Sequence, residues 1–365
     1  MTDPLVSILM VARNTAPFVD QALRSAREQT VRALEVVFVD DGSTDGTAQI
    51  AQRHADEDPR VRVLAGPQEG LSAVRNASLR AARAPLALVL DSDDMLHPRH
   101  CEVLMEDWRR HKAHVAGTNM LEFEVSGSQL ETRPFARGPE WGAPRIISAA
   151  EYLRRGMVGG AGELSLGYLK PLFDMAFLRR HSLVYDQRLR IGEDIDLVIR
   201  ALLAGGQMRY LPQCTYHYRR HTASTSHRVT EADLQALLSA TDGYRVLAAD
   251  TVASVLAARR DNLQSALAHL DVISALKQRD YAGALRVVMR DPAARAMTVA
   301  SITEALLKRI GRQPASRRAG RESLLDRASL SRQLCARSNV DSAVARGAGS
   351  DCPQPGNLRL SGTSR

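Results

Sequence analysis

Aromatic residues are scarce in this chain: Phe, Trp and Tyr together make up 4% of it. Its basic stretches have no interleaved aromatics of the kind on which RNA-binding modules stack bases. No nucleic-acid partner is therefore expected, although the formal charge is +8. Long apolar runs are also missing. None approaches the roughly 18 residues that a membrane-spanning helix needs. The N-terminal Met1-Thr2-Asp3-Pro4-Leu5 has neither a basic leader nor an apolar signal core, so export is not expected and a cytoplasmic location is. Cysteine is sparse as well. Cys101, Cys214, Cys335 and Cys352 lie far apart with no C-x-x-C pair, which argues for reduced thiols and against a disulfide scaffold.

The apolar fraction of 44% and charged fraction of 25% are those of an ordinary globular protein. The positive excess suits an anionic lipid surface, or simply reflects an arginine-rich chain with a basic tail. Much of it lies in residues 308–337, including Arg317, Arg318, Arg327 and Arg337.

Apolar runs predict strands at Leu5–Val11, Glu35–Asp40, Val61–Leu64 and Leu86–Leu90. Between them, helical spacing predicts helices at Phe18–Gln29, Thr47–Asp56 and Ser72–Ala82. Alternation of this kind means βαβ units and a parallel sheet. Right-handed crossovers then bring Asp41 and Asp91 to one edge of that sheet, where open α/β folds bind ligands. Further on, a helix is expected at Pro98–His111, a strand at His114–Val125, and a short helix capped by Ser148 with Glu151 at the capping-box position. Residues 126–167 otherwise have no clear period. Ile195, Val198, Ile199 and Leu202 mark an amphipathic helix whose start carries Glu193 and Asp194, and Met208–Leu211 reads as a strand. From Glu231 to Ile310 the chain is Ala- and Leu-periodic and predicts several helices. Beyond Arg312 it turns polar and rich in Ser, Arg and Gly, and disorder is expected.

Five stretches carry candidate chemistry. In Leu86–Asp94 an apolar strand runs into Asp91, Asp93 and Asp94. Three acids within four residues repel one another unless a cation sits among them, and a hard divalent ion suits oxygen donors. A solvated acidic turn is the bland alternative. Val39–Asp45 ends a buried strand in Asp40 and Asp41, either as acceptors for a base N–H or as a βα turn with a cap. Gly70–Asn76 opens a helix, a favourable place for anions, and adds the planar cation of Arg75; a surface arginine is the alternative. Glu193-Asp194 at a helix start is either a cap or a general base. The segment Tyr216–Ser226 concentrates His217, Arg219, Arg220 and His221 just beyond a strand, as a cationic lid on phosphate or as solvated charge.

Taken in order, Val6-Ser7-Ile8, Val39–Asp45, Gly70–Asn76, Leu90–Asp94, Gly192-Glu193-Asp194 and Tyr218–Ser226 resemble the motifs of family 2 glycosyltransferases of the GT-A fold. The likeness is closest to bacterial exopolysaccharide glucosyltransferases of the succinoglycan type, chiefly through Arg190–Val198 and Tyr218–His221. It covers residues 5–228 and implies an α/β, Rossmann-like, mostly parallel sheet, followed by a C-terminal helical appendage and a disordered tail. The implied divisions are a glycosyltransferase domain over 1–228 (donor half 1–97, acceptor half 98–228), an appendage over 229–311 and a tail over 312–365.

The resemblance also implies roles. Asp41 would bind the nucleotide base with Asp40 in support. Asp91 would meet the ribose and, with Asp93, a divalent metal, Mn2+ or Mg2+. Arg75 would contact the nucleotide or diphosphate, and His221 would sit near the metal or diphosphate. Asp194 would be the catalytic base, with Glu193 supporting the acceptor side. One departure stands out: the family's Pro-x-Tyr-Asn reads Val11-Ala12-Arg13-Asn14 here, so Arg13 replaces the expected tyrosine. The implied enzyme is an inverting glycosyltransferase that moves a hexose from a nucleotide-diphospho-sugar, UDP-glucose or a relative, to a saccharide or lipid-linked acceptor, with a peripheral contact at the inner membrane face. A nucleotidyltransferase is the first rival, but no Gly-rich, Lys-containing loop follows the first strand. An inactive sugar-nucleotide-binding scaffold is the second, and it would need neither Asp93 nor Asp194.

Overall fold

A computed structural model describes residues 3–127, 129–158, 164–221, 229–244, 250–310 and 327–340. The first part alternates as expected: β1 (Val6–Ala12), α1 (Ala16–Arg27), β2 (Leu34–Asp40), α2 (Thr47–Glu57), β3 (Val61–Ala65), α3 (Leu71–Ala81) and β4 (Leu86–Val89). β1 pairs in parallel with both β2 and β4, and β2 with β3. The carboxyl ends of β2 and β4 therefore share one edge, and Asp41 and Asp91 with them. β4 is flanked on its other side by a later strand, so it is paired on both edges and fully buried. That position is why its sequence is an unbroken apolar run.

The second part is less regular. It consists of β5 (Met95–Leu96), α4 (His100–His111), β6 (Val115–Ser126), β7 (Gln129–Pro134), β8 (Arg145–Ile147), α5 (Ala149–Arg155), β9 (Leu172–Asp174), α6 (Met175–Arg180), α7 (Glu193–Leu203) and β10 (Met208–Arg219). The sheet order is β3-β2-β1-β4-β9-β6-β10-β5, with β7 on β6 and β8 on β10. β9 runs antiparallel between β4 and β6, splicing the two parts into one sheet. Ser148 caps α5, accepting the amide N–H of Glu151 at 3.1 Å. The strand expected at Met208–Leu211 runs on to Arg219 through a bulge at Pro212–Thr215. Tyr216 to Arg219 therefore lie within a strand rather than beyond it. Pro212 and the register shift hid the continuation from the sequence pattern.

Helices α8 (Glu231–Tyr244), α9 (Asp250–Lys277), α10 (Tyr281–Arg290) and α11 (Pro292–Ile310) follow. They share the core of the first 228 residues: Leu234, Leu237, Tyr244, Leu256 and Leu263 are buried in the same apolar cluster as β1 and β4. The Tyr244 hydroxyl donates to Asp196 of α7 at 2.7 Å, and Arg190 pairs with Asp233. The expectation of disorder after 312 needs correction for one stretch. Arg327–Arg337 forms α12, which lays Leu330 and Leu334 on Met95, Leu121, Phe123 and Cys214. Two leucines at i, i+4 are enough to pin a polar helix where a sheet flank offers apolar surface. Beyond α12, Asn339 satisfies the bulge of β10: its side chain accepts the Cys214 N–H at 2.8 Å and donates to the Pro212 carbonyl at 3.3 Å.

Candidate active site

The carboxyl end of β2 turns sharply at Gly42, whose φ is +78°. In that turn Asp40 Oδ2 accepts the Ser43 N–H at 3.0 Å, and Asp41 Oδ1 accepts the Gln68 N–H at 2.8 Å. Gly66 makes the second contact geometrically possible, because a Cβ there would lie 2.6 Å from Asp41 Oδ1. Asn14 Oδ1 accepts the Thr44 N–H, and the Asn14 N–H donates to Ser43 Oγ, so the loop after β1 is tied to the loop after β2. Asp40 Oδ1 is buried without a hydrogen-bond partner, an open acceptor at the end of β2. Arg13, in the place of the tyrosine, is exposed.

At the end of β4, Asp91, Asp93 and Asp94 place carboxylate oxygens within 4.8 Å of one another. β10 supports them from the side. The Tyr216 hydroxyl accepts the Asp91 N–H at 3.1 Å and donates to Asp94 Oδ2 at 2.8 Å. The Arg219 N–H donates to Asp94 Oδ1, and its guanidinium to the Asp93 carbonyl and to Gln21. Burial, then the charges of Asp93 and Asp91, hold the Asp94 carboxyl well above its usual range. Asp91, Asp93 and Asp94 thus form one acidic cluster. Its all-oxygen donor set fits a hard divalent cation. Asp93 is the most open of the three, with a third of its side chain exposed, and its Oδ2 lies 2.9 Å from His221 Nε2. The His221 ring stacks on Phe18 with centroids 4.8 Å apart. The residues beyond His221, including Ser224 and Ser226, lie outside the described ones.

The third group arrives from the acceptor side. Gly192 precedes α7 with φ +74°, a left-handed turn that puts Glu193 and Asp194 in the first helical turn. Neither carboxylate caps that helix. Both face Arg75: its guanidinium lies 3.3 Å from Glu193 Oε1, 3.3 Å from Asp194 Oδ2 and 3.2 Å from Asp91 Oδ1. Lys170 closes the ring, with Nζ 2.8 Å from Asp91 and 3.4 Å from Asp194. Two cations thus bridge Asp91, just past the end of β4, to the acid pair on α7. Burial would raise Asp91, but Lys170 and then Arg75 hold it down at about 2. Burial, then the charge of Asp194, pushes Glu193 up to about 7.

Of the residues singled out from sequence, Arg75, Asp91, Glu193 and Asp194 meet in this ring, Asp93 pairs with His221 in the acidic cluster next to it, and Asp40 and Asp41 lie at the end of β2 on the same sheet edge. Sequence reasoning missed Lys170, Gln21 and Phe18, and it read the Tyr216–Ser226 segment, Arg219 included, as a cationic lid on phosphate or solvated charge rather than as the support of Asp91, Asp93 and Asp94. A signal existed for Lys170: it is one of four lysines in an arginine-rich chain and interrupts the apolar stretch Leu169–Phe173. The supporting role of Tyr216 and Arg219 had no signal until β10 was known to run past its bulge.

Residues 7–160 match the model of glycosyl transferase family 2. The chain is 32% identical over 295 residues to the succinoglycan biosynthesis protein ExoO of Rhizobium meliloti, covering 79% of this chain and 82% of that protein. It is 34% identical over 245 residues to ExoU, a succinoglycan biosynthesis protein of the same organism, covering 64% and 68%. Its fold is similar to that of S. aureus TarS 1-349 in complex with UDP-GlcNAc, with a TM-score of 0.55 at 17% identity over 78% of this chain and 91% of that one. It is also similar to the mannosyltransferase PcManGT of Pyrobaculum calidifontis in complex with GDP-Man and Mn2+, with a TM-score of 0.52 at 15% identity over 84% and 88%. The order of the acidic motifs, the sheet edge that gathers them and this kinship agree: the chain belongs to the family 2 glycosyltransferases, and is a GT-A-fold enzyme of the exopolysaccharide type.

Proposed function

We propose that the chain is an inverting hexosyltransferase that moves glucose or a related hexose from a UDP-sugar to a saccharide acceptor, free or lipid-linked. The observation that carries this reading is the ring joining Asp91 to Asp194 through Arg75 and Lys170. It holds the donor-side acids and a candidate general base on one edge of the sheet. The UDP-GlcNAc bound by TarS and the GDP-Man bound by PcManGT support a nucleotide-diphospho-sugar as donor.

In this proposal Asp41 accepts the base N–H while Asp40 shapes the floor. Arg13, lacking the ring of the usual tyrosine, leaves base stacking to other groups. Asp93 and Asp91 would hold the divalent cation, which on binding would offset charge on the diphosphate leaving group. Asp94, saturated by Tyr216 and Arg219, stands behind them. His221, seated on Phe18, completes the diphosphate side. Asp194 takes the proton of the acceptor hydroxyl as that oxygen attacks the anomeric carbon, so the configuration inverts and no enzyme nucleophile is needed. Arg75 was expected to touch the nucleotide or diphosphate. Its three carboxylate partners favour a different role, holding Asp91 and Asp194 in register. Residues 1–97 would form the donor half and 98–228 the acceptor half, with 229–311 supporting α7 from behind.

The test is a panel of sugar nucleotides, measured for hydrolysis and for transfer with and without Mn2+. Turnover of a UDP-hexose with release of a product of inverted anomeric configuration is expected. Retained configuration, or turnover confined to GDP-sugars, would overturn it.

A further inference from the structure

Among the described residues, large apolar side chains left in solvent concentrate on α10 and α11. Tyr281, Leu285 and Met289 lie at i, i+4 and i+8 on one stripe of α10 and are 66, 61 and 69% exposed. The opposite face of α10, carrying Ala284, turns inward, and the helix packs on α9 and α11. On α11, Val299 and Ile302 are likewise exposed and share a face with Arg295, at i, i+4 and i+7. Isolated exposed apolar residues need no explanation, but a stripe on adjoining helices does.

Charge says what covers it. Lys277, Arg279, Arg286, Arg290 and Arg295 are all exposed, and none is in an ion pair among the described residues. The two acids in the same span, Asp280 and Asp291, are engaged as helix caps, accepting the amide N–H groups of Gly283 and Ala294. An apolar stripe bordered by five cations against two capping acids is the pattern of a helix lying in the interface of an anionic bilayer. A second copy of this chain suits it poorly. An isologous contact would bring the same five cations of both copies together against only Asp280 and Asp291 from each.

We infer that the outer face of α10 and α11 docks on an anionic lipid surface, with Tyr281, Leu285 and Met289 entering the headgroup layer and Arg286 and Arg290 meeting lipid phosphates. This gives the membrane contact that a lipid-linked acceptor implies a definite place on the protein, and rests on that reading only for its purpose.

The test is co-sedimentation of the full chain with vesicles of phosphatidylcholine alone or mixed with phosphatidylglycerol. Binding to the mixed vesicles, weakened by salt, is expected. The double variants Leu285→Glu/Met289→Glu and Arg286→Glu/Arg290→Glu should each bind at least about tenfold more weakly. Their donor hydrolysis and melting temperature should match the parent, since the altered side chains are exposed; this separates failure of docking from failure of the enzymatic reading. Equal vesicle binding by both variants would overturn the inference. So would a parent that ignores both vesicles and instead sediments as a dimer that the variants dissociate.

Discussion

Replacing Asp194 with Asn tests both the proposed chemistry and the charge balance around it. The amide keeps the shape of the side chain but cannot accept a proton at neutral pH. General-base contributions are typically on the order of 10²–10⁴-fold, so transfer should fall at least about 100-fold. Stability should fall too. Asp194 does not cap α7; it lies 3.3 Å from Arg75 and 3.4 Å from Lys170. Removing one partner from a buried ion pair costs about 3–5 kcal/mol when the other is left uncompensated. Here the remaining cations keep Asp91, and Glu193 stands in reserve. Its carboxyl is pushed up to about 7 by burial and then by the charge of Asp194. In Asp194→Asn the second cause vanishes, Glu193 ionises more readily, and Arg75 regains an anion at 3.3 Å. The expected loss is therefore below that range, about 1–2 kcal/mol. Glu193→Gln added to Asp194→Asn should cost more than the sum of the single changes, because the reserve is gone. Thermal melts of the four proteins and single-turnover transfer assays read both quantities. A folded Asp194→Asn enzyme transferring sugar near the parent rate would remove Asp194 from the mechanism, and additive stabilities would refute the charge exchange with Glu193.

Other perturbations should separate the remaining roles. Asp93→Ala should abolish transfer and make the protein indifferent to Mn2+; full turnover by that variant, or by the parent in EDTA, would sink the metal-dependent scheme. Lys170→Met should cut the transfer rate more than it weakens donor affinity, since Lys170 joins Asp91 to the proposed base; a change confined to donor affinity would assign it to donor binding alone. Ending the chain after Ile310 removes Leu330 and Leu334 from the flank of β10 and should destabilise by at most about 3–6 kcal/mol; an unchanged melting temperature would show that α12 contributes nothing. Arg190 and then Thr230 hold Asp233 down at about 2, against an ordinary value of 3.8. A depressed folded-state pKa gives stability that is complete above about pH 4 and lost as pH falls towards 2. Asp233→Asn should therefore melt earlier than the parent at neutral pH, with the gap closing through that window; a gap independent of pH would mean that charge is not its source.

The sequence by itself determined the half of the molecule built from local regularity. Strands buried on both faces must be continuous apolar runs, so β1, β2 and β4 announced themselves. Acids placed just after two of them fall on one edge by the handedness of the crossovers. The start of α7 was equally plain, because helical spacing behind Glu193 and Asp194 leaves them in the first turn. What only the tertiary structure decided is which charges meet. Lys170 lies 79 residues from Asp91 in sequence, and Arg75 16 residues on the other side, yet both bridge the same carboxylate. No local pattern encodes a contact that forms when an antiparallel β9 is spliced beside β4. The same holds for β10, whose bulge breaks the period-2 signal and whose loose backbone groups are met by Asn339, just past α12 and more than a hundred residues away. Periodicity reports what one element does with its own neighbours; the active-site ring and the α12 clasp are agreements between elements, and those exist only once the chain has folded.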